Sequence, residues 1–284
     1  MNNIIVIGGN GQLGQCLQEV VETFKDNYTY VFLSQIELNI SDAEQVKTIF
    51  YQYRPVFCIN CAAYTAVDQA EEDQSNAFEI NEHAVARLAQ TCAEYKTTLI
   101  HISTDFVFDG SHGFPLTETS ATHPINIYGS SKLNGELAIS KYLNQHFIIR
   151  TSWLYSEKAN NFCKTMLKLA QIKSELNVIY DQVGTPTYAM DLAKCILHII
   201  NSGQSAYGLY HYSNEGVASW YDFAKAIFEF AEVDIDVWPV NSSAFVTKAV
   251  RPHYSVLDKS KIKSTFDLSI PYWRDSLNKC INKI

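Results

Sequence analysis

Four consecutive β-branched residues, Ile4-Ile5-Val6-Ile7, run directly into Gly8-Gly9-Asn10-Gly11-Gln12-Leu13-Gly14. Gly9, Gly11 and Gly14 fit G-x-G-x-x-G, and Gly8, Gly11 and Gly14 fit G-x-x-G-x-x-G. Glycine permits a tight turn and lets the backbone approach a pyrophosphate. The helix that follows offers free N–H groups and the positive end of its dipole. A glycine turn can also serve no ligand, but a strand before it and a helix after it are the context that dinucleotide binding requires.

The next segments keep the same rhythm. Helical patterning from Gln12 to Phe24 precedes a strand at Tyr28–Leu33. Ser41-x-x-Glu44 has the form of a capping box opening a helix to Tyr53, which Pro55 stops. Strand patterning at Val56–Ala62, Thr98–Ser103 and Phe147–Thr151 alternates with helical stretches at Asn76–Tyr95 and Tyr128–Leu143. Such alternation implies βαβ units, so the expected fold is α/β, a Rossmann-type doubly wound parallel sheet. After Trp153 the rhythm loosens. Helices are expected at Asn161–Ala170, Tyr188–Asn201, Ser219–Ala231 and Pro271–Lys283, with short strands at Val178–Tyr180, Leu209–Tyr212 and Val237–Val240. Residues 1–153 are read as the dinucleotide-binding domain, with a later segment near 178–201 returning to it. Residues 154–284 are read mainly as a smaller α/β substrate-binding lobe.

Composition excludes several functions. The net charge of −8 argues against nucleic acid or an anionic membrane as partner. No 18-residue apolar run and no basic leader segment occur, so a cytoplasmic protein is expected. Seven irregularly spaced cysteines suit buried free thiols. Cys58-x-x-Cys61 lies in a strand without a second pair, so packing outweighs a redox or zinc role, and no metal site is expected. Asp68, Glu71, Glu72 and Asp73 read as a solvated acidic loop and first helical turn, and His101 as a hydrogen-bonded core residue.

Tyr128-Gly129-Ser130-Ser131-Lys132 is a Y-x-x-x-K. Residues i and i+4 share a helix face, so the ammonium can sit near the phenol. A charge about 5 Å away at an effective dielectric of about 20 is worth about 3 kcal/mol, or roughly two pKa units. That would bring tyrosine toward a working pKa. With 17 tyrosines and 17 lysines the spacing also arises by chance, and Tyr221-x-x-x-Lys225 is a second copy. Context separates them. Tyr128 follows a strand ending in Ser103-Thr104-Asp105, and ligands of open α/β sheets bind beyond such strand ends. Thr104 is then placed to hydrogen-bond a carbonyl beside Tyr128. Tyr221 and Lys225 sit among Phe223, Ile227 and Phe228 on an ordinary amphipathic helix.

Together the glycine loop, Ser103-Thr104-Asp105 and Tyr128-x-x-x-Lys132 resemble the extended short-chain dehydrogenase/reductase family. Finer stretches narrow the likeness: Asn60 to Asp68, Ser103 to Gly110, Arg150 to Tyr155, Asn161-Phe162, Asp181 to Thr187, and Arg251-Pro252. Over nearly the whole chain these resemble the dTDP-4-dehydrorhamnose reductase family. The resemblance implies that NADPH or NADH reduces the C4 ketone of dTDP-4-dehydro-β-L-rhamnose. Tyr128 would be the proton donor, Lys132 would bind the nicotinamide ribose, and Thr104 would orient the ketone. It further implies cofactor contacts at Gly8, Asn10, Gly11, Gln12, Leu13, Gly14, Ser34, Asn39, Ile40, Ala62, Ala63 and Tyr64. Substrate contacts fall to Thr104, Asp105, Tyr128, Trp153 as apolar platform, and Arg251 on the diphosphate.

Some positions depart from the pattern. Asn39 stands where the family often has Asp. Cys16 and Met190 stand where some members carry acids that pair subunits through a metal. A monomer or weak homodimer without a metal link is therefore expected. The second strand ends in Leu33-Ser34-Gln35 without an acid for the ribose 2′-hydroxyl, which slightly favours NADPH. Three alternatives fit these residues less well. A dehydratase would carry Glu after the Thr-Asp pair, where Phe106 stands. A 4-epimerase must retain NAD. A regulatory subunit resembling methionine adenosyltransferase β would not need Thr104, Tyr128 and Lys132 together.

Overall fold

A computed structural model describes residues 2–24 and 26–284. Six parallel strands form the main sheet in the order Gly208–His211, His146–Thr151, Thr98–Thr104, Phe57–Asn60, Asn2–Ile7 and Tyr28–Leu33. Ile4, Ile5, Val6 and Ile7 are fully buried, as a strand covered on both faces requires. Their alternation divides them between two cores. Ile4 and Val6 pack with helices Gln12–Thr23 and Ala189–Asn201, while Ile5 and Ile7 pack with Ala43–Tyr53 and Ala84–Tyr95. The chain crosses from one side of the first strand to the other between Phe57–Asn60 and Tyr28–Leu33. The crevice beyond the strand ends at this switch point is where such sheets bind ligands.

The remaining segments form a lobe over those ends. Glu175–Ile179 pairs in parallel with Asp236–Val240, and helices Phe162–Ala170 and Trp220–Phe230 lie nearby. Of the later chain, Ala189–Asn201 packs on Gln12–Thr23, and Gly208–His211 extends the main sheet beside His146–Thr151. No helix of the described residues is long and apolar enough to cross a membrane.

Three local expectations need correction. The Ala43–Tyr53 helix is not capped by Ser41; the Asp42 carboxylate accepts from Glu44 N and Gln45 N, both at 3.0 Å. A reciprocal capping box does occur at Ser219 and Asp222. The stretch expected as one helix from Asn76 to Tyr95 is Gln74–Phe78, a π-helical turn Glu79–His83, and Ala84–Tyr95. The acidic run is structural rather than merely solvated. Asp68 pairs with Arg251, Glu72 with Lys248, Glu71 accepts from Ile127 N, and Asp73 from the Tyr64 hydroxyl. Among the described residues all seven cysteines are free thiols, and no cluster of three metal-ligating side chains occurs.

Candidate active site

The glycine turn is built by backbone contact. Gly8 N and Gly9 N donate to Leu33 O at 3.0 and 2.8 Å, and Gly8 has φ +79°, a conformation that favours glycine. A Cβ on Gly14 would stand 2.4 Å from Gly8 O, so glycine there lets the helix start against the loop. Gly11 precedes the helix and no side chain caps its N-terminus, which leaves the first-turn N–H groups facing the crevice. This bare, closely approached cradle fits a pyrophosphate.

The crevice is a cleft of ≈ 880 Å³. Of the expected residues, Gly8, Asn10, Gly11, Gln12, Leu13, Asn39, Ile40, Ala62, Ala63, Thr104, Asp105, Tyr128, Lys132, Trp153 and Arg251 all line it. Gly14, Ser34 and Tyr64 stand outside, each for a packing reason. Gly14 is beneath the loop, the Ser34 amide and hydroxyl both donate to Glu37 Oε2, and Tyr64 is held by Asn81 and Asp73. Glu37 is thereby tied back to its own turn, and Gln35 takes the place at the cleft wall.

Tyr128 lies in the first turn of helix Ile127–Tyr142, capped by Asn126, whose side chain accepts from Gly129 N at 2.7 Å. A Cβ on Gly129 would stand 2.2 Å from Phe106 O. Glycine therefore lets this helix abut the Thr104–Phe106 turn and brings Tyr128 to Thr104. The π-helical turn adds a second brace. Its Asn81 side chain donates to Ser131 Oγ at 3.0 Å and receives Tyr64 N at 2.9 Å, fixing the helix beside Lys132. Lys132 Nζ donates to Ile102 O at 2.6 Å.

The electrostatics differ from the simple picture of an ammonium lowering a phenol. Burial pushes Tyr128 up to about 12; the Thr104 hydroxyl opposes this and the Asp105 carboxylate adds to it. Burial also lowers Lys132 to about 8, against the pull of Glu136 and Cys61. The buried Asp105 carboxyl is raised to about 6 by desolvation, tempered by Ser255 and Thr104. Its Oδ2 has no hydrogen-bond partner. Desolvation is the main cause of the upward shift, so the phenol keeps its proton at neutral pH.

Trp153 has φ +47°, an uncommon conformation for a large side chain. Its ring stacks on Trp220 with centroids 3.6 Å apart, and a Cβ on Gly184 would stand 2.8 Å from Trp153 Cε2. Trp220 carried no separate signal in the sequence, yet it lines both this cleft and an adjoining cavity of ≈ 640 Å³. Arg251 stands at the same junction, its guanidinium on both carboxylate oxygens of Asp68. Asn60, His101 and Asn81 are buried polar residues around Lys132 that the sequence reading did not assign to the site. Asn60 and His101 stand out in the sequence only as polar residues within apolar strands, and Asn81 carries no such signal.

Comparison with known proteins bears on all of this. The family model described as "RmlD substrate binding domain" matches residues 1–284. A protein of Aggregatibacter actinomycetemcomitans named dTDP-4-dehydrorhamnose reductase is 37% identical, covering 98% of this chain and 97% of its own. The protein of that name from Escherichia coli K12 is 38% identical over 99% and 98%. A solved structure of dTDP-4-dehydrorhamnose reductase from Bacillus anthracis in complex with NADP is 38% identical, with TM-score 0.94 and 100% of both chains covered.

Proposed function

This chain belongs to the RmlD substrate-binding-domain family, and on that premise we propose that it is an NAD(P)H-dependent oxidoreductase. Its substrate is a dTDP-linked keto sugar, dTDP-4-dehydro-β-L-rhamnose, and its product dTDP-L-rhamnose, a nucleotide sugar of polysaccharide biosynthesis. The observation that carries this reading is the convergence of the uncapped glycine cradle with Thr104, Tyr128 and Lys132 in one cleft. The relative solved with NADP supports NADPH as a cofactor, and the absence of an acid at the Gln35 wall agrees with it.

The cofactor, when bound along the Gly8–Gly14 cradle, supplies a hydride. Everything else falls to the chain. The Thr104 hydroxyl orients the C4 carbonyl toward Tyr128. Tyr128, held protonated at neutral pH, gives the phenol proton to the oxygen as negative charge develops there. Lys132 holds the ribose and offsets the charge left on the phenolate. Asp105, in the lining of the cleft, accepts from a sugar hydroxyl. The stacked Trp153 and Trp220 form an apolar wall for the sugar, and Arg251 meets the diphosphate where the two cavities join. The cavity beyond, partly lined by Phe162, Met166 and Val178, suits the nucleoside.

The enzyme is proposed to act in the cytoplasm as a monomer or weak homodimer without a metal link. Cys16 and Met190, neither of them an acid, are buried in the core. The test is loss of absorbance at 340 nm with NADPH and, separately, NADH, on freshly made dTDP-4-dehydrorhamnose. Oxidation that disappears in Lys132→Met supports the mechanism. Tight cofactor binding without oxidation would move the substrate to another nucleotide sugar.

A further inference from the structure

Lys132 has a neighbour that the mechanism above does not use. His101 is fully buried, with Nε2 3.3 Å from Lys132 Nζ and Nδ1 3.1 Å from the Asn60 side-chain nitrogen. The Asn60 amide is oriented by an unambiguous donor, because the Ala62 backbone N–H donates to its Oδ1 at 3.1 Å. The amide nitrogen must then face His101, and Nδ1 must accept from it. Burial, with Lys132 and His146 adding to it, holds His101 neutral. A neutral imidazole carries one proton, so it sits on Nε2 and points at the lysine.

We propose that His101 is a positioning residue whose Nε2–H, fixed by Asn60, favours the neutral amine of Lys132 and so readies it to return a proton to Tyr128. The proposal rests on the reductase reading. In that reaction the Tyr128 O–H bond breaks as an O–H bond forms on the sugar, leaving a phenolate. An Nζ–H bond of Lys132 then breaks to restore the phenol. The lysine lone pair so created accepts from His101 Nε2–H, while Nζ keeps its donation to Ile102 O. Solvent later returns a proton to the amine. An ammonium facing an N–H donor is poorly satisfied, whereas a neutral amine there is satisfied on both sides.

Other groups face the lysine too. Tyr128 and Glu136 share its helix, Cys61 approaches from beyond strand Phe57–Asn60, and Asp105 lies past Thr104. Arg150 from strand His146–Thr151 pairs with Glu136, which restrains the carboxylate's influence on Lys132. None of these fixes the direction of a hydrogen bond at Nζ as the Asn60–His101 pair does.

The experiment is NMR on the full chain without substrate. The 15N shifts of His101 report the tautomer, and the ε-carbon signal of Lys132, assigned by its loss in Lys132→Met, reports titration. Wild type should show Nε2 protonated and Nδ1 bare. In His101→Phe, Lys132 should hold its proton about tenfold more tightly, a midpoint about one pH unit higher. Should that variant not fold, Asn60→Asp serves. A carboxylate only accepts, so the His101 proton should move to Nδ1 and Lys132 should again titrate higher. An Nδ1–H tautomer in wild type, or a Lys132 midpoint unmoved in the folded variant, overturns the proposal. Neither readout needs turnover. Failure to oxidise NADPH with the expected tautomer would sink the reductase reading alone, and turnover with the reversed tautomer would sink this one alone.

Discussion

Replacing Gly14 by alanine adds one methyl group where the fold has no room for it. That Cβ would stand 2.4 Å from Gly8 O and 2.5 Å from Gly9 O, whereas real Cβ contacts begin near 3.0 Å. Both neighbours are backbone, so the helix and the loop must part by about 0.6 Å. Such overpacking costs about 1–3 kcal/mol. Alanine's better helix propensity offsets about 1 kcal/mol of that. Net stability should fall by no more than about 2 kcal/mol. Binding should suffer more, because the same displacement moves the N–H groups that would hold the pyrophosphate. A hydrogen bond to a charged group is worth about 1.5–3 kcal/mol, so losing one weakens NADPH about 10- to 100-fold. Fluorescence titration of NADPH beside thermal unfolding separates the two effects. Gly113→Ala is the control, since nothing lies within 4 Å of its added carbon. If Gly14→Ala binds NADPH within about twofold of wild type while melting normally, the pyrophosphate does not sit on this cradle.

Tyr128→Phe should bind NADPH normally and lose about 10²- to 10⁴-fold in kcat, and turnover close to wild type would remove Tyr128 as the acid. Glu136→Gln strips a buried pair, since Arg150 donates to Glu136 from Nε at 2.9 Å and from Nη2 at 2.6 Å. It should cost about 3–5 kcal/mol by urea unfolding, and a loss below about 1 kcal/mol would show that the arginine finds another partner. Asp105 titrates near 6 in the fold against an ordinary 3.8. The folded state therefore binds the extra proton between those values, and stability falls as pH rises through about 4 to 6. At neutral pH the charged carboxyl costs about 3 kcal/mol, so Asp105→Asn should be more stable than wild type at pH 7.5 while raising the substrate KM. The stability advantage should vanish near pH 4, and a constant difference across that range would contradict the buried-carboxylate account.

The strand–glycine–helix opening was legible because each requirement is local. β-Branched residues make a strand, glycine allows a positive φ, and the next helix begins at Gln12. The strand at Tyr28–Leu33 was readable to the residue for the same reason. Thr104, Tyr128 and Lys132 could be grouped because the strand end and the helix start are close in sequence. The cap of Ala43–Tyr53 is not legible in the sequence because Asp42 and Ser41 both suit a helix start, and only backbone geometry chooses between them. The π-helical turn left no pattern, since one extra residue per turn shifts phase without changing composition. The acidic run looked solvated because its partners, Arg251 and Lys248, lie far along the chain.

By itself, the sequence determined the α/β class and the strand–glycine–helix opening, and it singled out the candidate reacting side chains. These follow from short-range periodicity, from steric permissions peculiar to glycine, and from the intrinsic chemistry of phenol and amine. Tertiary structure alone decided how those groups behave. It closed the cleft with Trp220 and Arg251 from distant segments, and it set Tyr128 where desolvation raises its phenol. It also set Asn60 against His101 and His101 against Lys132. Desolvation and hydrogen-bond direction depend on everything that surrounds a group in three dimensions, and spacing along a chain carries no measure of either.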